Sequence, residues 1–389
     1  MKPAAGTKLH FIGTEGVLFS EPRQEVHAFN TTACVIWCHL EDGLTPPRIA
    51  RALADESGLD EATSRAHVAA ALADWTAKGL LMDVPAVPLA APPAASLPGL
   101  AACPTDRLVI SVTWRLLGVI VRVRFTRESD ATLVRPLFDH LPREAVRPAD
   151  HVVDIAAAAD GIGFYLDGQP AAFCQRDDEI APVAKGVIWT AVLRRQDYLL
   201  HIHAGAVGGP AGCVLLPAAP GGGKSTLTLT LVHAGFDLFS DEVALLAAAD
   251  LTVAPFPTAI CVKEAGIGVV ANLYPEIGAL PIHLRGDGMR VVYMPPPHPR
   301  VSHDGHRRPV CGIVFPRYRA GAPFKSRRLE PANALARLLT HCQHVGRALD
   351  HAAIQRLIGW IKQTPCAEIE YGSSEQARNL VGAILRGGR

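Results

Sequence analysis

The chain of 389 residues has almost no excess charge: 38 Lys and Arg stand against 37 Asp and Glu, for a formal net charge of +1. That near-balance gives no overall pull toward nucleic acid or an anionic membrane. Long apolar runs are missing too, and no window approaches the ~18 residues of a spanning helix. The most apolar short run, Leu116–Val121, lies between Arg115 and Arg122 and is strand-length. The opening MKPAAGTKLHFIG has no apolar core of the kind a signal peptide carries. The nine cysteines are odd in number and scattered, which argues against a disulfide framework and for a reducing cytoplasm. Cys34 and Cys38, four apart in a helical stretch, read as small packed apolar groups. Sixteen histidines include His298, His303 and His306 in one loop and His341 near His344, but none has zinc-like spacing with Cys or acids. There is no LSGGQ and no NKxD, so transporter-type and guanine-reading NTPases have no support.

What is there is a globular chain, 49% apolar and 19% charged, long enough for two or three domains. Residues 1–84 read as a separate small domain. Short β-like runs at His10–Ile12, Val17–Phe19 and Val26–Phe29 lead to Asn30, an N-cap candidate. Ala33, Ile36, Trp37 and Leu40 then recur at helical spacing up to Gly43. Thr45 then caps a second helix, PPRIARALADESG, with Ile49, Ala50 and Leu53 inward. A third covers Glu61–Lys78, with Val68, Leu72 and Trp75 on one stripe, and Leu80–Met82 closes the domain as a strand. Strands and three helices in this order make a winged-helix topology. Its charge has the wrong sign for DNA: seven acids face four bases between Glu41 and Lys78.

The stretch FNTTACVIWCHLEDGLTPPRIARALADESGLDEATSRAHVAAALADWTAKGLL resembles the PqqD-like peptide chaperones, the recognition domains of ribosomally made, modified peptides. The resemblance covers about eighty residues. It implies that a precursor's leader peptide binds as an added strand between the third strand, near Ala28, and the third helix, a mode in which backbone hydrogen bonds give affinity. A fold-stabilising N-terminal cap without a ligand is the plain alternative.

Residues 85–104, PAVPLAAPPAASLPGLAACP, carry no charge and read as a linker. Residues 105–197 read as an α+β subdomain without catalytic features. Its expected elements are a half-buried strand at Val119–Phe125, a helix at Asp130–Leu141, strands at Val152–Ile155 and Gly163–Leu166, and a helix at Glu179–Arg195.

The chemistry concentrates in residues 198–389. Tyr198–Val207 reads as one strand on which His201 and His203 face the same way. Then comes CVLLPAAPGGGKSTLTLTLVHAGFDLFSDEVALL, from Cys213 to Leu246: a strand, a Gly turn, Lys-Ser, a helix closed by Gly235, and a second strand ending in two acids. That order suits a phosphate-binding unit, in which backbone N–H groups face an anion, Lys224 neutralises the outer phosphates and the Ser225 hydroxyl holds Mg²⁺. Pro220, Gly221, Gly222, Gly223, Lys224, Ser225 and Thr226 are the expected nucleotide contacts. Asp241 lies 17 residues past Lys224, at a strand end where ligands gather in α/β sheets. Asp241 and Glu242 are expected to point apart and do different work, one toward Mg²⁺ and one as a proton acceptor.

HIHAGAV followed by this loop is similar to HPr kinase and its relatives, bacterial serine kinases with a P-loop. The resemblance implies His203 as the family's histidine before the loop, Gly221–Thr226 as the phosphate loop, Asp241 as catalytic acid/base and Glu242 as the neighbouring metal-linked acid. Ala218 and Pro220 depart from the family's Gly and Ser, and Glu242 replaces an Asp. The later signature that supports reverse phosphorolysis is not recognisable. The family is commonly oligomeric, which implies a homo-oligomer. Downstream, Lys263 is a candidate phosphate or substrate contact, and Tyr293–Pro309, with Arg300, Arg307 and Arg308, reads as a basic loop. Helices are expected at Glu330–Gly346, Asp350–Lys362 and Ser374–Leu385, and strands at Val310–Phe315 and Ala367–Tyr371.

The expected whole is an α/β P-loop kinase core of HPr kinase type with an α+β subdomain and an N-terminal winged-helix, PqqD-like domain. The expected function is transfer of phosphate from ATP, with Mg²⁺, to a Ser or Thr hydroxyl on a precursor peptide. The alternative is a leader-peptide adaptor that senses nucleotide without kinase activity. Neither nucleic acid nor membrane is an expected partner.

Overall fold

A computed structural model describes residues 2–81, 100, 102–297, 301, 307–346 and 348–387. Most of the 85–104 linker, the histidines at 298, 303 and 306, and Arg300 lie outside the described residues. By internal contact the chain divides into two units: residues 1–93, 328–340 and 347–366, and residues 94–327, 341–346 and 367–389.

The first unit opens with an antiparallel sheet of β1 (Thr7–Ile12), β2 (Glu15–Ser20) and β3 (Glu25–Phe29) in that order, which leaves β3 as an edge. The Asn30 side chain accepts from the Ala33 N–H at 2.9 Å and starts α1 (Thr31–Glu41). Asp60 caps α3 (Glu61–Ala77) through Thr63, while α2 (Pro46–Ser57) begins after Thr45 without a side-chain cap. Buried Ile36, Trp37, Ile49, Leu53, Val68, Leu72 and Trp75 confirm the helical stripes read from sequence. Phe29 stacks on Trp75 at 4.9 Å, and Trp37 meets both edge-on. The expected closing strand is reduced to a bridge between Pro3 and Leu81.

The second unit begins with β4 (Ile110–Leu116), β5 (Val119–Phe125), α4 (Glu128–Val134), β6 (His151–Ala158), β7 (Gly161–Leu166), β8 (Gln169–Cys174) and α5 (Ile180–Leu193). Strands β4 to β8 form one sheet in sequence order, covered by α5. Buried Val123, Phe125, Phe164 and Ile188 share a core with Val243, Phe256 and Tyr293. One core thus joins residues 105–197 to the residues that follow.

Next come β9 (Tyr198–Ile202), β10 (Ala204–Gly209), β11 (Gly212–Pro217), α6 (Lys224–His233), β12 (Asp237–Ser240), β13 (Ala244–Ala247), β14 (Val253–Ala254), β15 (Ile260–Lys263), α7 (Ile267–Val270), β16 (His283–Leu284), β17 (Arg290–Met294), β18 (Val310–Tyr318) and β19 (Lys325–Arg328). The chain ends with α8 (Pro331–Leu339), β20 (Cys342–Val345), α9 (His351–Gln363), β21 (Cys366–Tyr371) and α10 (Ser374–Leu385).

Two sequence expectations are corrected here. Tyr198–Val207 is not one strand: the chain leaves the sheet β14-β13-β9-β20 at His203 and enters the sheet β12-β10-β11-β18-β21-β19 at Ala204. An alternating apolar run cannot reveal such a switch, because both halves are buried. The expected helix Glu330–Gly346 stops at Leu339, and β20 pairs with β9 instead. The six-stranded sheet is also mixed. β10 runs antiparallel to β11 and to β12, while β18 runs parallel to β11. The carboxyl ends of β11, β12 and β18 therefore share one side, with α6 and α10 packed on the sheet.

Helices α8 and α9 group with the first unit. α8 lies along β2 and β3, and α9 against β1. Phe19 meets His351 edge-on at 5.3 Å, and Gln24 exchanges two hydrogen bonds with the Leu349 backbone at 2.6 and 2.9 Å. Among the described residues no helix is long and apolar enough to cross a membrane.

Candidate functional site

The glycine turn lies between β11 and α6. Gly221 and Gly223 hold positive φ of 87° and 86°, which a side chain would strain. A Cβ on Gly222 would sit 3.0 Å from Ala218 Cβ and from the Pro316 carbonyl. The turn is cinched by the Gly222 N–H to the Ala219 carbonyl at 2.9 Å and by the Tyr318 N–H to the Gly222 carbonyl at 3.1 Å. No side chain caps α6, so its first N–H groups are left for an outside acceptor. Pro220 through Thr226, His203 and Glu242 line one cavity of about 370 Å³, whose wall also takes in Lys263 and Arg285. The expected phosphate-loop residues are thus brought together.

Asp241 and Glu242 follow β12 and do diverge. Asp241, 4% exposed, accepts from the Ser225 hydroxyl at 3.0 Å and the Cys261 N–H at 3.3 Å through one carboxylate oxygen. Its other oxygen, Oδ1, is buried with no hydrogen-bond partner among the described residues. Burial raises the Asp241 pKa above the ordinary carboxylate value and Glu242 adds to the rise, while Lys224 opposes it. The Lys224 ammonium donates to the Asp241 carbonyl at 2.5 Å.

Glu242 has other partners. Lys185 of α5 reaches it at 2.7 Å and Arg285 at 3.7 Å. Burial alone would raise its pKa, but Lys185, Lys224 and Arg285 outweigh burial and hold it down to about 2. The expected metal role of Glu242 meets a carboxylate already engaged by two cations. Among the described residues no group of three or more His, Cys, Asp or Glu could hold a metal by itself.

His203 lies at the chain's switch between sheets, where its N–H donates to the His341 carbonyl at 2.8 Å. Burial, then the nearby Lys224 charge, lowers its pKa to about 4, so the ring is neutral near pH 7. His201 instead belongs to β9, in the other sheet.

Lys185 is the residue that sequence reasoning missed. Its ammonium is buried, donates to the Ala259 carbonyl at 2.9 Å and lies 4.7 Å from the ring centres of both Trp189 and Tyr293. A Lys in IAPVAKGVIWTAVL reads as an exposed helix face, and only the distant Glu242 explains its burial. Arg285 was missed for the same reason.

The first unit holds a second cavity, a groove of about 570 Å³ between β3 and α3. His27, Ala28 and Phe29 form one wall and Ala71, Asp74, Trp75 and Lys78 the other, with Asn333 of α8 at its rim. This is where the sequence places an added strand.

Residues 15–81 match the family described as Coenzyme PQQ synthesis protein D (PqqD), so the N-terminal domain is PqqD-like. A solved structure titled "TbiB1 in Complex with the TbiA(beta) Leader Peptide" is similar over 22% of this chain and 98% of that chain, with 25% identity and a TM-score of 0.21. Comparison with curated proteins returns no match.

Proposed function

We propose that this protein is an ATP-dependent kinase that phosphorylates a Ser or Thr hydroxyl on a ribosomally made precursor peptide recruited by its N-terminal domain. Peptide recognition follows from the PqqD-like domain, whose edge strand β3 borders a groove of about 570 Å³. The kinase reading rests on one observation above the rest. The uncapped start of α6, with Lys224 and Ser225, adjoins a buried carboxylate that has an unpaired oxygen.

The residues present fit MgATP. Backbone N–H groups of Gly221 to Thr226 would hold phosphate oxygens, and the Ser225 hydroxyl would hold the cation, which keeps several waters when bound by so few protein groups. Bound MgATP supplies the transferable phosphoryl group and its leaving diphosphate. The protein's part is positioning and charge neutralisation. Lys224 exchanges the Asp241 carbonyl for phosphate oxygens. Asp241, its pKa raised by burial, takes the proton that the acceptor hydroxyl gives up. Glu242 fixes Arg285 at the cavity wall, and His203 acts as a neutral group.

The test is intact-mass spectrometry of a candidate precursor peptide incubated with MgATP and either the native protein or Lys224→Ala. The expected result is a gain of one phosphoryl mass that requires Lys224. Tight, ATP-responsive peptide binding with no mass gain would replace the kinase with the adaptor.

A further inference from the structure

A nucleotide whose phosphates lie on the Gly loop needs a place for its base, and the cavity wall includes two tyrosines, Tyr318 and the buried Tyr371. Tyr318 is the last residue of β18, which runs parallel to β11, the strand that feeds the loop. Ligands of α/β sheets gather at such carboxyl ends. The Tyr318 backbone is tied to the loop by its hydrogen bond to the Gly222 carbonyl, and a Cβ on Gly223 would lie 2.8 Å from Tyr318 Cβ. Behind it, the buried Tyr371 meets its ring edge-on at 5.7 Å and sets its own hydroxyl 3.4 Å from the Gly223 carbonyl.

Despite this anchoring, Tyr318 is 41% exposed and, with Phe11, one of two exposed large aromatics among the described residues. Its ring lines the same cavity as Lys224 and Ser225. Other parts of the lining suit a flat base less well: they include the aliphatic Val269 and the charged Lys263, Arg285 and Asp287.

We propose that Tyr318 is the base platform of the nucleotide site, stacking the purine of a nucleoside triphosphate whose phosphates rest on Gly221–Thr226. This inference rests on the nucleotide reading given above. Stacking on an aromatic face tolerates any base, so the platform supplies affinity for a nucleoside and little choice among bases.

The experiment is calorimetric titration of the full chain with ATP and, separately, inorganic triphosphate, both with Mg²⁺. It compares native protein, Tyr318→Ala and Tyr318→Phe. Replacement by Ala keeps the backbone tie to Gly222, so the loop stays anchored. Tyr318→Ala is expected to weaken ATP binding about 5- to 150-fold while triphosphate binding stays within about twofold. Tyr318→Phe is expected to bind ATP like the native chain. Native-like ATP binding by Tyr318→Ala would overturn the platform and leave the nucleotide site standing. An equal loss for both ligands would overturn it too, because the ring would then act on the loop. Native protein that binds neither ligand would overturn the nucleotide reading and the platform together.

Discussion

The two cavities recognise by opposite means. The groove of the first unit is open, lies beside an unpaired strand edge and is walled by Phe29 and Trp75. It suits an extended chain, whose backbone can pair with β3 whatever its side chains. The cavity of the second unit concentrates charge: Lys224, Lys263, Arg285, Glu242 and Asp287 line it, Lys185 pairs with Glu242, Lys224 donates to the Asp241 carbonyl, and an uncapped helix start adds its dipole. It suits a compact anion. The contrast predicts that a substitution at one cavity leaves ligand binding at the other intact.

The sharpest break is Asp241→Asn. Phosphoryl transfer is expected to fall about 10²- to 10⁴-fold. Nucleotide affinity by titration and peptide affinity by fluorescence anisotropy should both change by less than about threefold, since Asn retains the contacts to Ser225 and Cys261. Retained transfer would remove Asp241 from the chemistry.

Trp75→Ala attacks the other cavity. It leaves Phe29 without its stacking partner and is expected to destabilise the first unit by about 3–5 kcal/mol, read from denaturant unfolding. Peptide binding should fall with it, while ATP binding persists. Loss of both in parallel would mean that the two regions are not separable.

Lys185→Met sharpens the comparison inside the second unit. It leaves Glu242 with Arg285 alone, at 3.7 Å, and is expected to cost about 3–5 kcal/mol, part of it recovered by adding Glu242→Gln. If the double variant is as unstable as the single one, Lys185 matters through its contacts with Trp189 and Tyr293 instead.

Acidification should produce the smallest effect and touch both units. Burial lowers the pKa of His10 and of His203 to about 4. The folded chain keeps both rings neutral, whereas the unfolded chain protonates them near the ordinary value of about 6.5. Their contribution to stability is complete above that value and is lost as pH falls from about 6.5 toward 4. Melting temperatures at pH 7.5 and 5 should show the fall, and His203→Gln should reduce it.

Local pattern made much of this legible. The stripes of α1 to α3, the cap at Asn30, and the strand–turn–helix around Lys224 depend on neighbours in sequence, and the structure keeps them, whereas the cap expected at Thr45 makes no side-chain hydrogen bond. The unread parts depend on distant neighbours. The break at His203 is decided by which sheet each half joins. Residues 342–345 form a strand because β9 offers an edge, although the preceding helix pattern runs straight into them. Lys185 finds its buried charge partner in Glu242, 57 positions later.

The packing of α8 and α9 on the N-terminal sheet changes what can be cut from this protein. A protease that severed the chain between Leu81 and Leu100 would release neither half. Residues 1–81 would remain clasped by α8 and α9, which belong to the other fragment. The same arrangement limits grafting. Residues 1–84 moved to another enzyme would carry Val17 and Phe19, both fully buried here, on a sheet stripped of the helices that cover it. A transplant must bring residues 328–340 and 347–366 along, so the recognition domain is an interleaved part of this chain and cannot be exchanged as a cassette.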